Sequence, residues 1–126
     1  MKDLAFSHRD NDFSAVGKAD GERVVLELAG TADARAVDSL GRVLRGLHEH
    51  ALAQRARMVT VDFRAAEFMN SSCFKAFVVW IDSVQSEAPE RQYKITFLSN
   101  PEFHWQRRSL HALSHFARGI VSVEVC

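Results

Sequence analysis

Residues 61–82 read VDFRAAEFMNSSCFKAFVVWID. Val59, Val61 and Phe63 alternate against Met58, Thr60 and Asp62, which predicts a strand over Met58 to Phe63. Beyond the apolar pair Phe68 and Met69 come three small polar residues, Asn70, Ser71 and Ser72, then Cys73 and an almost unbroken apolar run. The spacing of Phe74, Phe77, Val78, Ile81 and Val84 predicts a helix from about Ser72 to Ser86, and Ala76, Val79 and Trp80 widen its apolar stripe almost all round. Such a helix is either buried on most sides or covered by a partner. A strand, a short polar hinge and a buried helix make a βα unit, and the rest of the chain repeats it.

Upstream, Phe13 to Lys18 and Val24 to Ala29 are two β-prone runs separated by Ala19-Asp20-Gly21-Glu22. Asp-Gly in that position predicts a hairpin, because glycine tolerates the positive φ of a tight turn. Residues 1–12 are polar and either add an edge segment or fray. After Gly30 the period changes: Val37, Leu40, Leu44, Leu47 and Ala51 lie on one helical face, with Asp33 as its N-cap. Gly41 and Gly46 weaken this helix by about 1 kcal/mol each relative to alanine, so tertiary packing must hold it. Downstream, Tyr93 to Leu98 predicts a strand and Glu102 to Ala117 a helix with Phe103, Leu110, Leu113 and Phe116 inward. Gly119 is read as its C-cap, and Ile120 to Val125 as a closing strand.

The order is β-β-α-β-α-β-α-β. It predicts a single α/β domain over residues 1–126: a mixed, mostly parallel sheet with an N-terminal hairpin and three helices. In such sheets ligands and partners meet the loops at the carboxyl ends of the strands. Three loops are expected to gather there: Gly30-Thr31-Ala32-Asp33, Met69 to Ser72, and Ser99-Asn100.

Bulk properties narrow the function classes. A chain of 126 residues with 47% hydrophobic and 25% charged residues fits one ordinary core. Sixteen basic residues balance sixteen acidic ones, which argues against nucleic acid, since duplex binding needs a cationic surplus. No apolar run is long enough to span a bilayer. Cys73 and Cys126 form no disulfide pattern and no signal peptide is readable, so a reduced, cytoplasmic protein is expected.

Gly30-Thr31-Ala32-Asp33, then Val61-Asp62-Phe63, then Phe68-Met69-Asn70-Ser71-Ser72 together resemble the STAS domain of bacterial anti-sigma factor antagonists. The resemblance runs from about Val24 to Val125. It implies a non-enzymatic regulatory module, free of cofactors, that is switched by phosphorylation. The acceptor is the serine at the start of the second helix, here Ser71, with Ser72 second to it. A serine kinase of the GHKL ATPase type, often doubling as the anti-sigma factor, adds the phosphate, and a serine phosphatase removes it. With the loop geometry, the resemblance marks Thr31, Asp33, Asp62, Phe68, Met69, Asn70, Ser71, Ser72, Cys73, Phe74, Lys75, Ser99 and Asn100 as partner-binding. Two positions depart from the family pattern: Asn70 stands where the family has Asp, and Cys73 where it usually has Gly. These departures support the alternative of a constitutive, non-phosphorylated binding or small-ligand-sensing module.

Plainer readings compete at each residue. Asn70-Ser71-Ser72 at a strand-to-helix junction is by itself a helix cap. Cys73 near a helix N-terminus invites a nucleophile reading, but a small buried thiol is favoured because no histidine pattern accompanies it. His111 and His115 are four apart, yet no glutamate stands between them in the zinc-protease pattern and no cysteine pair is present, so no metal is expected. Arg107, Arg108 and Arg118, with Lys94, read as a solvated face, the functional alternative being a docking patch for an acidic partner or for a phosphate held near Ser71. Trp80 and Trp105 read as packing residues, or with Phe68 and Phe74 as the border of an exposed patch. No acid–base pair or nucleophile relay is readable, so an enzyme is not expected.

Overall fold

The computed structural model describes residues 2–20 and 22–126. Its strands are β1 (Lys2–Asp3), β2 (His8–Arg9), β3 (Phe13–Asp20), β4 (Arg23–Ala32), β5 (Met58–Met69), β6 (Lys94–Ser99) and β7 (Val121–Val125). Its α-helices are α1 (Val37–Ala53), α2 (Ser71–Gln85) and α3 (His104–Ser114), with short 3-10 turns at Ala34–Ala36, Pro89–Arg91 and His115–Ala117. The sheet order is β1-β3-β4-β5-β6-β7, with β2 also against β3. β3 and β4 pair antiparallel from Phe13↔Gly30 to Asp20↔Arg23, and β4, β5, β6 and β7 run parallel. The α/β class, the hairpin and the three helices are as expected. The predicted Gly21 turn geometry lies outside the described residues.

Successive parallel neighbours joined by right-handed crossovers place their helices on one face of the sheet. The core lies between that face and the helices. Val24, Leu26 and Leu28 of β4, Val59, Val61 and Phe63 of β5, and Ile95 and Phe97 of β6 point into it. They meet Leu40, Val43, Leu44 and Leu47 of α1, Phe77, Ile81 and Val84 of α2, and Leu110 and Leu113 of α3. Phe63, Phe77 and Phe97 pack edge-on or tilted with ring centroids 5.3–6.3 Å apart. Phe116, expected inward, is instead 55% exposed, because the chain tightens into a 3-10 turn after Ser114 and rotates that side chain out. Gly119 has no positive φ, so it is not the left-handed cap expected of it.

The N-terminal residues form an edge segment. β1 and β2 both pair with β3, and Phe6 seats between β3 and α1. A Cβ on Gly46 would lie 2.6 Å from Phe6, and one on Gly17 would lie 2.7 Å from its ring. Of the two glycines that weaken α1, Gly46 is therefore the opening that admits Phe6. Across the molecule, Trp80 of α2 donates its indole N–H to the Tyr93 hydroxyl (2.8 Å), which lies 2.7 Å from Nδ1 of His48 in α1. His48 Nε2 in turn lies 3.2 Å from the Glu87 carboxylate, so one polar chain ties α1, α2 and the entry to β6 together.

Strand β5 is longer than the alternation suggests. Its buried positions step by two through Val59, Val61 and Phe63, then by three to Ala66 and Met69. Each step of three coincides with an extra residue against β4: Phe63 and Arg64 oppose Leu28, and Glu67 stands extra between Gly30 and Thr31. These are β-bulges, which bend a strand and re-aim the residues beyond them. β6 stops at Ser99, whose neighbour Leu98 pairs with Asp62, so the last seven residues of β5 run on without it.

Candidate functional site

The extension of β5 delivers Asn70 to the top of the sheet. Thr31 pairs with Phe68 and Ala32 with Met69, and the Asn70 N–H donates to the Ala32 carbonyl (2.7 Å). Gly30-Thr31-Ala32, expected as loop, is thus strand. At Gly30 φ is +88°, and an added Cβ would fall 2.2 Å from the Asp12 carbonyl oxygen, to which Thr31 N–H donates at 2.8 Å. Only glycine permits this close crossing of the β2–β3 connection over β4.

An open strand edge needs partners for its carbonyls, and the start of α3 supplies them to β5. Gln106, fully buried, donates Nε2–H to the carbonyls of Phe63 (2.6 Å) and Ala66 (3.0 Å), while its Oε1 accepts from Asn100 N–H (2.7 Å). Trp105 donates its indole N–H to the Glu67 carbonyl (2.8 Å), and Asn100 Nδ2 donates to the Arg64 carbonyl (3.0 Å). Ser99 and Asn100 were expected at the partner-binding edge. They are instead set back by six residues of strand, up to about 20 Å along β5, and serve as its brace. Ser99 is buried and bonds to the Glu124 carbonyl.

Asp62 is likewise separated from the hinge. It sits before the first bulge and forms a two-pronged pair with Arg64, Nε to Oδ1 at 2.9 Å and Nη2 to Oδ2 at 2.8 Å. Burial works to raise its carboxyl pKa, but the hydrogen bonds and charge of Arg64 outweigh burial and leave it below the ordinary carboxylate value.

At the hinge itself Asn70 is an N-cap. Its φ of −65° and ψ of 146° are non-helical, and its side-chain oxygen accepts from Ser72 N–H at 2.8 Å. The Cys73 N–H donates to the Asn70 carbonyl at 2.9 Å. Two of the orphan donors of the first turn are thereby used. Ser71 is the first residue of α2 and exposed, and among the described residues its hydroxyl has no hydrogen-bond partner. Ser72 is half-buried one position further in, which ranks it behind Ser71 as an accessible hydroxyl. Lys75, one turn on from Ser71, is exposed on the same helical face.

Cys73 is fully buried, its Sγ 3.5 Å from the Asp33 carbonyl and 3.9 Å from that of Ala32. Burial, with the nearby Asp33 charge, raises its thiol pKa above the ordinary value, the opposite of a reactive cysteine. Met69 is buried as well. Neither presents a side chain to a partner, contrary to expectation; both pack the hinge from below. Asp33 caps the turn leading into α1, accepting from Arg35 N–H at 2.9 Å, and pairs with the Arg35 guanidinium at 2.8 Å. The Arg35 hydrogen bonds hold the Asp33 carboxyl below its usual range.

What remains accessible at the hinge is Thr31, Asp33, Ser71 and Lys75, together with Phe68, an aromatic ring 49% exposed. Phe74 is half-buried against Trp105 (ring centroids 5.9 Å). Trp80 is buried and lies along the inner wall of the groove between α1 and α2. Beside the hinge, a groove of about 770 Å³ runs between α1 and α2 from Ser72 and Lys75 past Val37, Ala76 and Val79, with Arg42 and Arg45 on its rim. Val79, the most apolar exposed position of α2, is 65% exposed there. The sequence does not single out the groove, nor the bracing pair Trp105 and Gln106. The width of the α2 stripe was the signal for the first; a glutamine in line with Leu110 and Leu113 was the signal for the second.

Among solved structures, the chain is similar to an anti-sigma factor antagonist from Mycobacterium paratuberculosis, with a TM-score of 0.61 over 82% of this chain and 81% of that one. The fold is that of an anti-sigma factor antagonist. Sequence identity across the match is 13%, so the likeness is one of architecture. No family model and no curated protein matches the sequence. On this STAS-like fold, Ser71 occupies the start of the second main helix, the position that the motif resemblance marks as the acceptor. Among the described residues, no helix is long and apolar enough to cross a membrane.

Proposed function

We propose that this chain is a regulatory module acting by protein–protein contact, in the manner of an anti-sigma factor antagonist, and that phosphorylation of Ser71 breaks that contact. The observation that carries the reading is the free, exposed Ser71 hydroxyl on the first residue of α2, flanked by exposed Phe68 and by the apolar α1/α2 groove. A phosphate there meets the positive end of the helix dipole and the Ser71 N–H, with Lys75 one turn away, so the fold tolerates it. The same phosphate adds about −1.5 to −2 charge to a surface otherwise fitted to a neutral hydroxyl. A loss of about 2.7 kcal/mol weakens a complex about a hundredfold.

The partners this reading assigns are a GHKL-type serine kinase, acting also as the anti-sigma factor, and a serine phosphatase. The surface they meet comprises Thr31, Asp33, Phe68, Ser71, Lys75 and the groove. The test is transfer of phosphate by the cognate kinase to wild type and to Ser71→Ala, read by intact mass, with partner affinity measured for Ser71→Glu. One phosphate on wild type, none on Ser71→Ala and weak binding by Ser71→Glu support the switch. A second reading rests on Asn70, which caps α2 without the charge of an aspartate: a constitutive contact that never receives phosphate. Unchanged partner affinity in Ser71→Glu selects it.

A further inference from the structure

Outside the hinge, one pair of side chains is arranged for chemistry that neither packing nor the switch requires. His111, in the last turn of α3, and His115, at the start of the 3-10 turn after it, are both exposed. Their Nε2 atoms lie 3.1 Å apart, with the rings edge-to-face at a centroid distance of 4.5 Å. We propose that His111 and His115 form a two-imidazole chelate for a first-row divalent transition-metal ion, Cu2+, Ni2+ or Zn2+, at the carboxyl end of α3.

The bite distance is the first argument. With metal–nitrogen bonds of about 2.0–2.1 Å, two nitrogens on one ion stand about 3.3 Å apart in a tetrahedral site and about 2.9 Å apart at a right angle. The observed 3.1 Å lies between these, so the spacing matches either geometry to within about 0.2 Å, and the rings turn so that both lone pairs converge on the ion. The second argument is placement. Residues i and i+4 share a helical face, and the last turn of a helix presents the negative end of its dipole, which favours a cation. The third is proton inventory. In the metal-free pair one Nε2–H donates to the other Nε2 lone pair, so the two rings are opposite tautomers. Chelation moves the donor ring's proton from Nε2 to Nδ1 through solvent; both Nε2 lone pairs then face the ion, and both rings stay neutral.

Among the described residues no third His, Cys, Asp or Glu joins the pair. The other coordination positions therefore hold water or a ligand from another molecule. Mixed nitrogen and oxygen ligation of that kind suits Cu2+ and Ni2+ best. Arg108 and Arg118, each three residues from the pair, repel an added cation, but across an exposed surface where salt screens the repulsion.

The test uses the full chain without an affinity tag, titrated calorimetrically with CuCl2, NiCl2 or ZnCl2. The expected result is one ion per chain, with His111→Gln and His115→Gln each weakening affinity at least about tenfold. Replacing even a residue that merely supports a ligand costs about that much. His104→Gln, on the same helix but two turns away, leaves affinity unchanged. Both substituted positions are exposed, and circular dichroism verifies that the variants are folded. Paramagnetic broadening by Ni2+ centred on residues 111–115 places the ion independently. Dissociation constants above about 1 mM for all three metals, or binding that survives when His111→Gln and His115→Gln are combined in one chain, overturn the proposal.

Discussion

Replacing Gln106 by leucine removes every polar atom of a fully buried side chain while keeping its approximate volume. Three backbone groups lose their partner: the carbonyls of Phe63 and Ala66 and the N–H of Asn100. A buried group left unpaired costs about 1–3 kcal/mol. Carbonyls keep a second lone pair and the bulged backbone can relax, so the lower end applies, giving about 3 kcal/mol in total. For a chain of this length that is a fall in Tm of roughly 10 °C. Urea denaturation read by tryptophan fluorescence gives the stability change, with Arg107→Leu on the exposed side of the same turn as the control, expected within about 0.5 kcal/mol. Amide exchange should show the loss concentrated in Ala66 to Ser71, because the bulged half of β5 depends on α3 for its open edge. A loss under about 1 kcal/mol, with exchange at Ala66 to Ser71 unaltered, refutes the reasoning that Gln106 braces the hinge.

Asn70→Ala removes the side-chain cap from Ser72 N–H and should cost about 1 kcal/mol, whereas Asn70→Asp should retain the cap; chemical denaturation compares the two. Of the two thiols, only Cys126 should react rapidly with a disulfide reagent in the native state, and Cys73 only after unfolding, since burial hides its sulfur and raises its pKa. Asp10 accepts from the N–H groups of Phe13 and Asp12 and bonds to His8, which together lower its pKa to about 2. A carboxyl depressed in the folded state stabilises it fully above the unfolded value of about 3.9 and loses that contribution as pH falls toward 2. The stability gap between wild type and Asp10→Ala should therefore be constant above about pH 5 and close below pH 4, with the Asp10 carboxyl titrating near 2 by NMR.

Much of the architecture was legible because its signals are periodic. The alternation of Val59, Val61 and Phe63 and the stripes of α1 and α2 each follow one spacing, and Asn70 announced its cap by type and position. The second half of β5 was not legible because two bulges change its inward step from two to three, and a rule of alternation ends the strand at Phe63. That difference displaces a loop: a strand ending at Phe63 stops level with β6 and sets Ser99 and Asn100 beside Asn70, whereas in the longer strand they lie alongside Arg64. Gln106 was missed for a related reason. A polar residue on the inner face of a helix has no place in an apolar pattern, and its role is visible only once the unpaired carbonyls of β5 are known. Of the hinge, the position of Ser71 at the start of α2 and the capping role of Asn70 were readable. The burial of Met69 and Cys73 beneath it was not, since a motif fixes the order of residues but not which way each faces.

The most direct test of the central claim is peptide mass spectrometry on the chain recovered from its own cells, beside a Ser71→Ala variant expressed at the same level. The account predicts a single phosphate on the peptide containing Ser71, present under some growth conditions and absent from the variant. A chain that never carries phosphate, or one whose phosphate persists in Ser71→Ala, contradicts it.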